Sequence, residues 1–291
     1  MSGVAYEIVD VFTDRPFAGN PLAVVYHADS LATDQMHTLA REFNLSETVF
    51  VLPPTEPTAT YRARIFTPEA ELPFAGHPSV GAAVTSMRRG LFPPGEVVQE
   101  CGAGLLPITV TEAGGATLTG GEPTLGAPLD PAALLRIAGL TADDYADLAP
   151  PRSAGCGLDW VFLPVRREAL ARVRIDVAAA ERAGVTDLSV FSWSPETSEA
   201  HARVLIPGGA VPEDPATGSA ALGLGVWLVA SGLLPGDGTS SYRVHQGIEM
   251  KRPSLLDCTV TATDGTATSA TVAGHVFPVA RGEIAVPPFV G

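Results

Sequence analysis

Three residues have the types and neighbours for proton chemistry. Glu47 sits in Asn44-Leu45-Ser46-Glu47-Thr48, just before an apolar, strand-like run. A carboxyl at the mouth of a strand, shielded by its neighbours, has its pKa raised toward about 6–7, which suits a general acid/base. The plainer alternative is a surface glutamate in a turn. His77 lies in Gly76-His77-Pro78-Ser79, and Asp214 opens Asp214-Pro215-Ala216-Thr217-Gly218-Ser219. Both stretches lie where helices should begin. A helix N-terminus carries unsatisfied N–H groups and a partial positive charge, so it holds anions such as carboxylates. Glycine there lets a substrate approach the backbone closely. The alternative makes Asp214 an N-cap and His77 a turn residue. Asn20, between Gly19 and Pro21, either aims its amide at a ligand or only forms a turn.

Other candidates are weaker. Gln246-Gly247 precedes Lys251-Arg252, a basic pair that either helps an anion or is solvated surface charge. His27, His37, His201 and His275 have no metal-ligand spacing and are taken as structural, so no metal is expected. Gly-x-Gly at Gly102–Gly104 and Gly223–Gly225 is too common to carry meaning, and no phosphate-binding loop follows a strand.

The elements that must position these residues are legible in outline. Residues 5–12, 22–26, 48–52 and 61–66 are rich in Val, Ile, Tyr and Phe and read as strands. Helices are expected over 32–43, with Thr33 and Asp34 as possible caps, and over 79–90, 131–138 and 219–231. Two of these, at Gly81-Ala82-Ala83-Val84 and Ala220-Ala221-Leu222-Gly223-Leu224-Gly225, have little bulk on any face. Helices so lean and apolar belong in a core, with strands packed closely round them.

An internal repeat ties the elements together. Ala63-Arg64-Ile65-Phe66-Thr67-Pro68 resembles Ala202-Arg203-Val204-Leu205-Ile206-Pro207, 139 residues later, and His77–Ala83 resembles Asp214–Ala220, 137 residues later. A weaker match sets Glu47–Val51 against Asp159–Leu163. The repeat implies two related lobes, each a set of strands round a helix rich in small residues, with a boundary near Gly120–Pro131. The expected division is 1–120, completed by a C-terminal strand near 278–291, and 130–277. Symmetry between the repeats places His77 and Asp214 on opposite walls of one cleft.

Composition limits the partners. With 32 acidic and 18 basic residues among 291, the formal net charge is -14, which offers no basic footprint for nucleic acid or an anionic membrane. Hydrophobic residues at 46% against 17% charged supply a core, and 30 Gly with 26 Pro suit many short strands and tight turns. Cys101, Cys156 and Cys258 are odd in number and widely spaced, so neither a disulfide framework nor a zinc pattern is expected, and a reducing cytoplasm is the simplest setting. MSGVAYEIVDVF lacks the form of a signal peptide, and no apolar run is long enough to span a membrane.

Taken in order, these motifs resemble one family. Val9–Thr13 through Gly19–Val25, Leu45–Phe50, Arg64–Pro68 with Glu71–Pro78, Asp214–Ala220 and Gln246-Gly247 follow the sequence pattern of the PhzF-like proteins of phenazine biosynthesis, from about residue 6 to beyond 250. The resemblance implies an α+β fold of the diaminopimelate epimerase type: two pseudo-repeated lobes, each a curled, mostly antiparallel sheet around a central helix, with the active site between them. It implies a cofactor-free isomerase, commonly a homodimer, acting on a small carboxylate-bearing substrate in natural-product biosynthesis. Glu47 matches the family's proton-carrying glutamate. His77, Asp214 and Ser219 match residues around the substrate, with Ser46, Gly76 and Gly218 as further contacts; Asn20, Ser79 and Thr217 complete the expected site. The cysteine-based epimerases of this fold have Cys-Gly-x-Gly at the two helix N-termini. Here those stretches are Pro78-Ser79-Val80-Gly81 and Pro215-Ala216-Thr217-Gly218, so a two-thiol mechanism is unavailable. Many relatives have Gly before the Arg where this chain has Lys251-Arg252. Competing expectations are an epimerase or lyase acting on the same proton, and a catalytically silent binding protein.

Overall fold

The computed structural model describes residues 3–209 and 211–288. The chain forms two compact units, Met1–Leu118 with Ala273–Gly291, and Thr119–Val272. No helix among the described residues is long and apolar enough to cross a membrane.

The first unit contains β1 (Gly3–Val11), β2 (Asn20–Val25), α1 (Thr33–Phe43), β3 (Glu47–Leu52), β4 (Tyr61–Phe66), β5 (Glu71–Leu72), α2 (Gly76–Arg88), β6 (Gly95–Cys101), β7 (Gly104–Val110) and β8 (Gly115–Thr119). The second contains β9 (Pro123–Pro128), α3 (Pro131–Ile137), β10 (Arg152–Cys156), β11 (Asp159–Pro164), α4 (Val177–Ala183), β12 (Leu188–Ser194), β13 (Glu199–Leu205), β14 (Glu213–Asp214), α5 (Gly218–Ala230), β15 (Gly238–Gln246) and β16 (Ser254–Thr263). The long strand β17 (Thr266–Ala285) begins in the second unit and ends in the first.

In the first unit, eight strands pair in a closed ring, β17-β1-β2-β3-β4-β6-β7-β8 and back to β17. Two of these pairings, β2 with β3 and β4 with β6, are parallel. The ring encloses α2, which packs on β1, β2, β3, β4, β6 and β7. Only a lean helix fits there. A Cβ added to Gly81 would lie 2.3 Å from Leu22 Cδ2. Outside the ring, α1 lays Met36, Leu39 and Ala40 over Phe50 and Phe66, a second core on the sheet's outer face.

The second unit repeats the pairing order. β10–β11 is antiparallel, β11–β12 parallel, β12–β13 and β13–β14 antiparallel, β13–β15 parallel and β15–β16 antiparallel. β1–β2, β2–β3, β3–β4, β4–β5, β4–β6 and β6–β7 follow the same series. Its central helix, α5, is buried from Gly218 to Val229 and packs on β9, β10, β11 and β16. At Gly223 the helix meets backbone, since an added Cβ would lie 2.7 Å from the Ala154 carbonyl oxygen. On the outer face, α3 and α4 cover Leu163, Leu188, Val190 and Leu205.

This pairing order corrects one block of the sequence repeat. β4 does correspond to β13, and α2 to α5. However, β3, which begins at Glu47, corresponds to β12, not to β11 at Asp159. The partner of β11 is β2, which begins at Asn20. Short apolar strands resemble one another in composition, so the weak third match aligned two strands of different topological rank.

Candidate active site

In the first unit, local structure delivers each side chain. α1 stops at Asn44, whose φ of 50° is left-handed and whose N–H donates to the Ala40 carbonyl at 3.1 Å. Asparagine tolerates that conformation, so the chain turns there and enters β3 at Glu47. The expected caps of α1 are displaced by one residue: Ala32 is the N-cap, and Gln35 Oε1 accepts from its N–H at 3.0 Å. Asn20 opens β2 after a loop pinned by Asp10, whose Oδ2 accepts from the Phe17 N–H at 2.6 Å. α2 begins at Gly76, three residues before the expected start at Ser79, because Pro78 is tolerated in a first helical turn. His77 is therefore a helical residue, not a turn residue.

These elements bring four predicted residues together. Glu47 Oε2 lies 3.4 Å from His77 Nε2. Asn20 Nδ2 lies 3.2 Å from His77 Nδ1, and Asn20 Oδ1 accepts from the Ser46 hydroxyl at 3.2 Å. With Asn20 oriented so that its Oδ1 takes the Ser46 hydroxyl, its amide nitrogen donates to Nδ1, which puts the proton of a neutral His77 ring on Nε2, facing Glu47. The 3.4 Å approach is long for a hydrogen bond, and Glu47 Oε2 is buried with no formed hydrogen bond among the described residues. Burial raises the Glu47 pKa from the usual carboxylate range to about 7, against a smaller opposing effect of the Ser46 hydroxyl. No Arg or Lys makes an ion pair with Glu47 among the described residues, which would otherwise hold it ionised.

Ser79 has a different role from its neighbours. Its hydroxyl donates to the Ala75 carbonyl at 2.8 Å and accepts from Gln99 Nε2 at 2.8 Å. Gln99 Oε1 in turn accepts from Tyr61 at 2.9 Å, so a buried chain of bonds fixes the first turn of α2. Gln99 lies in the middle of Val97-Val98-Gln99-Glu100, and no sequence signal distinguishes it.

In the second unit, Asp214 is the last residue of β14 and Thr217 is the N-cap of α5, so Asp214 is not the cap. Asp214 Oδ2 accepts from the Thr217 hydroxyl at 2.5 Å. Gln246 holds the whole turn: its Nε2 donates to the Asp214 carbonyl at 2.7 Å and to Thr217 Oγ1 at 2.9 Å, and its Oε1 accepts from the Thr217 N–H at 3.2 Å. Gly218 is the first residue of α5, and Ser219 Oγ accepts from Trp160 Nε1 at 3.0 Å. Trp160 carries no motif and is invisible to spacing arguments.

Other histidines and cysteines have partners or burial of their own. His37 Nε2 is 3.0 Å from the Pro68 carbonyl, and His201 stacks on His245 with ring centroids 4.5 Å apart. Burial, with Arg167 nearby, lowers the His201 pKa to about 4. Cys156 and Cys258 are buried free thiols, Cys156 being raised to about 11 by burial. No group of three or more His, Cys, Asp or Glu suited to a metal occurs among the described residues.

With this geometry in view, the comparisons with known proteins are decisive about kinship. The pattern of the phenazine biosynthesis-like proteins, PhzC-PhzF, matches residues 9–282. The chain belongs to this family. It is 38% identical to an uncharacterized isomerase of Mesorhizobium japonicum, over 96% of this chain and 98% of that protein. It is 32% identical to the trans-2,3-dihydro-3-hydroxyanthranilate isomerase of Pseudomonas aeruginosa, over 86% of this chain and 88% of the relative. A crystal structure of the Bacillus anthracis PhzF-family protein superposes with a TM-score of 0.88 at 25% identity, covering 98% of this chain and all of that one. The protein is thus an isomerase-family member with the α+β, two-lobed fold expected from its motifs.

Proposed function

We propose that this PhzF-family protein is a cofactor-independent isomerase that moves a proton, and with it a double bond, within a small carboxylate-bearing, cyclic or unsaturated amino-acid-like substrate. The observation that carries the proposal is the Glu47 carboxyl, set beside His77 Nε2 with its side chain only 17% exposed, where burial pushes its pKa up to about 7. At neutral pH such a group is present in both forms, as an acid/base that must both take and return a proton requires. Glu47 takes a proton from substrate carbon, the double bond shifts, and the same carboxyl delivers the proton to another carbon. His77, with its proton on Nε2, steadies the carboxylate when it forms.

In this proposal the substrate's carboxylate is held at a helix start. Neither α2 nor α5 receives a side-chain cap from its N-cap residue or has an acidic residue in its first turn. Such an end attracts an anion through its N–H groups and dipole. In this proposal Asp214, braced by Thr217 and Gln246, accepts from a substrate amino or hydroxyl group at the start of α5. The kinship with the dihydro-hydroxyanthranilate isomerase makes that cyclic amino acid the first compound to test. Followed by NMR, this compound should show a shifted double bond, and substrate deuterated at the carbon that loses its proton should carry label to the new C–H position, diluted only where the carboxyl exchanges with water first. No shift, or exchange with inverted stereochemistry and no shift, would overturn the assignment.

A further inference from the structure

A cavity lies at the end of α2 away from His77. It has a volume of about 460 Å³ and is walled by the ends of β2 and β3, the start of β4 and the segment that follows α2. That volume lies within the usual range for small-molecule sites. At 1.5 Å per residue, the 13-residue helix separates the cavity from His77 by roughly 18 Å. The cavity is therefore distinct from the acid–base site.

Its walls are chemically specific. Tyr61 and Phe92, largely buried, stack with centroids 5.6 Å apart and planes 20° apart and line the space together with Pro53 and Pro54. Arg89 lies flat over Tyr26, with its guanidinium carbon 4.3 Å from the ring centroid. One of its nitrogens, Nη1, donates to Glu7 Oε1 at 2.7 Å, and no other guanidinium hydrogen bond occurs among the described residues. A guanidinium has five donors in one plane, so stacking on Tyr26 holds the remaining donors edge-on and available. Aromatic walls beside a pre-oriented guanidinium select a flat ring bearing a carboxylate. Asp29, also on the wall, disfavours a second negative charge.

We propose that this cavity is a second small-molecule site, taking a planar aromatic monocarboxylate with its ring near Tyr61 and Phe92 and its carboxylate on Arg89. The test uses the full chain and 2-naphthoate, followed by calorimetry and ligand-observed NMR, with the trimethylanilinium cation as the opposite-charge control. Binding should be the same in wild type and Glu47→Gln. It should weaken at least tenfold in Arg89→Gln and in Leu91→Trp, which fills the mouth from an exposed position. Thermal melts establish that each variant is folded, and Leu91→Trp decides the matter if Arg89→Gln is not. Four outcomes would overturn the proposal: no binding, binding that survives both changes, equal binding of the cation, or binding lost in His77→Asn but kept in Arg89→Gln.

Discussion

Glu47 is held in an environment that works against its charge. The difference between about 7 and its ordinary value of 4.5 corresponds to on the order of 3 kcal/mol of differential stabilisation of the protonated form. Since the folded-state pKa is the raised one, this stability is fully present below about pH 4.5 and is lost as pH rises through about 7. Glu47→Gln is neutral at every pH. Chemical denaturation should therefore find the variant more stable than wild type above pH 7, with the gain vanishing below pH 4.5. The same variant should lose turnover and solvent exchange by at least 10²-fold while binding substrate with similar affinity. Wild-type kcat/KM should rise with pH through about 7, as the basic form of Glu47 fills. Equal turnover in Glu47→Gln, or loss of exchange in Asp214→Asn alone, would move the base elsewhere. Asn20→Ala should leave the fold intact but lower kcat about tenfold, because the Asn20 contribution to placing the proton of His77 is then lost.

Elements impose their own requirements on these residues. The two central helices tolerate no side chain where they cross the sheet, but for different reasons. Gly81 faces the end of a leucine side chain, which has some freedom to shift, whereas Gly223 faces a backbone carbonyl, which does not. Gly223→Ala should therefore destabilise more than Gly81→Ala, both within or above the range of about 1–3 kcal/mol typical of overpacking. Urea unfolding gives the order directly. The small-residue composition that causes this sensitivity is also what made the helices legible in sequence, together with the β4 and β13 blocks beside them. Legibility failed where the signal was compositional or non-local. Helix α4 buries only Ala180 of its seven residues, too little for a periodic pattern. The start of α2 is hidden by Pro78, which reads as a break before a helix although a first turn accepts it. Asn20 and His77 are 57 residues apart, and only folding shows that they share a hydrogen bond. Glu47 and His77 stand out in their motifs, but the direction of the imidazole proton does not. The Gln99 and Gln246 braces lie in strands whose alternation gives no reason to single out a glutamine.

At the scale of the whole molecule, no thiol has the setting of a nucleophile. Cys156 and Cys258 are buried and their thiols are raised by burial, and none of the three cysteines lies in the first turn of α2 or α5. Replacing Cys101, Cys156 and Cys258 together by Ala should leave the turnover of the folded enzyme within about threefold of wild type; the two buried sites should lower thermal stability instead, through the cavities they leave. A selective loss of turnover in a well-folded triple variant would place the chemistry on sulfur. The donor sets argue similarly about metals, since the described residues offer no three-ligand cluster. Prolonged dialysis against EDTA should leave activity unchanged, and loss restored by zinc or magnesium would refute the glutamate mechanism.

The path of β17 bears on how the protein is made. The second unit is one uninterrupted stretch, Thr119–Val272, whereas the first needs β17 to join β1 to β8. On a ribosome the strands made first thus wait with two open edges while more than 150 further residues are synthesised. At 5–20 residues per second that interval lasts on the order of ten seconds or more, long compared with most folding steps. The second unit can be complete before the first one closes. The later-made half of the chain is then the first to be finished, and the part that carries Glu47 is exposed longest to aggregation and to chaperones.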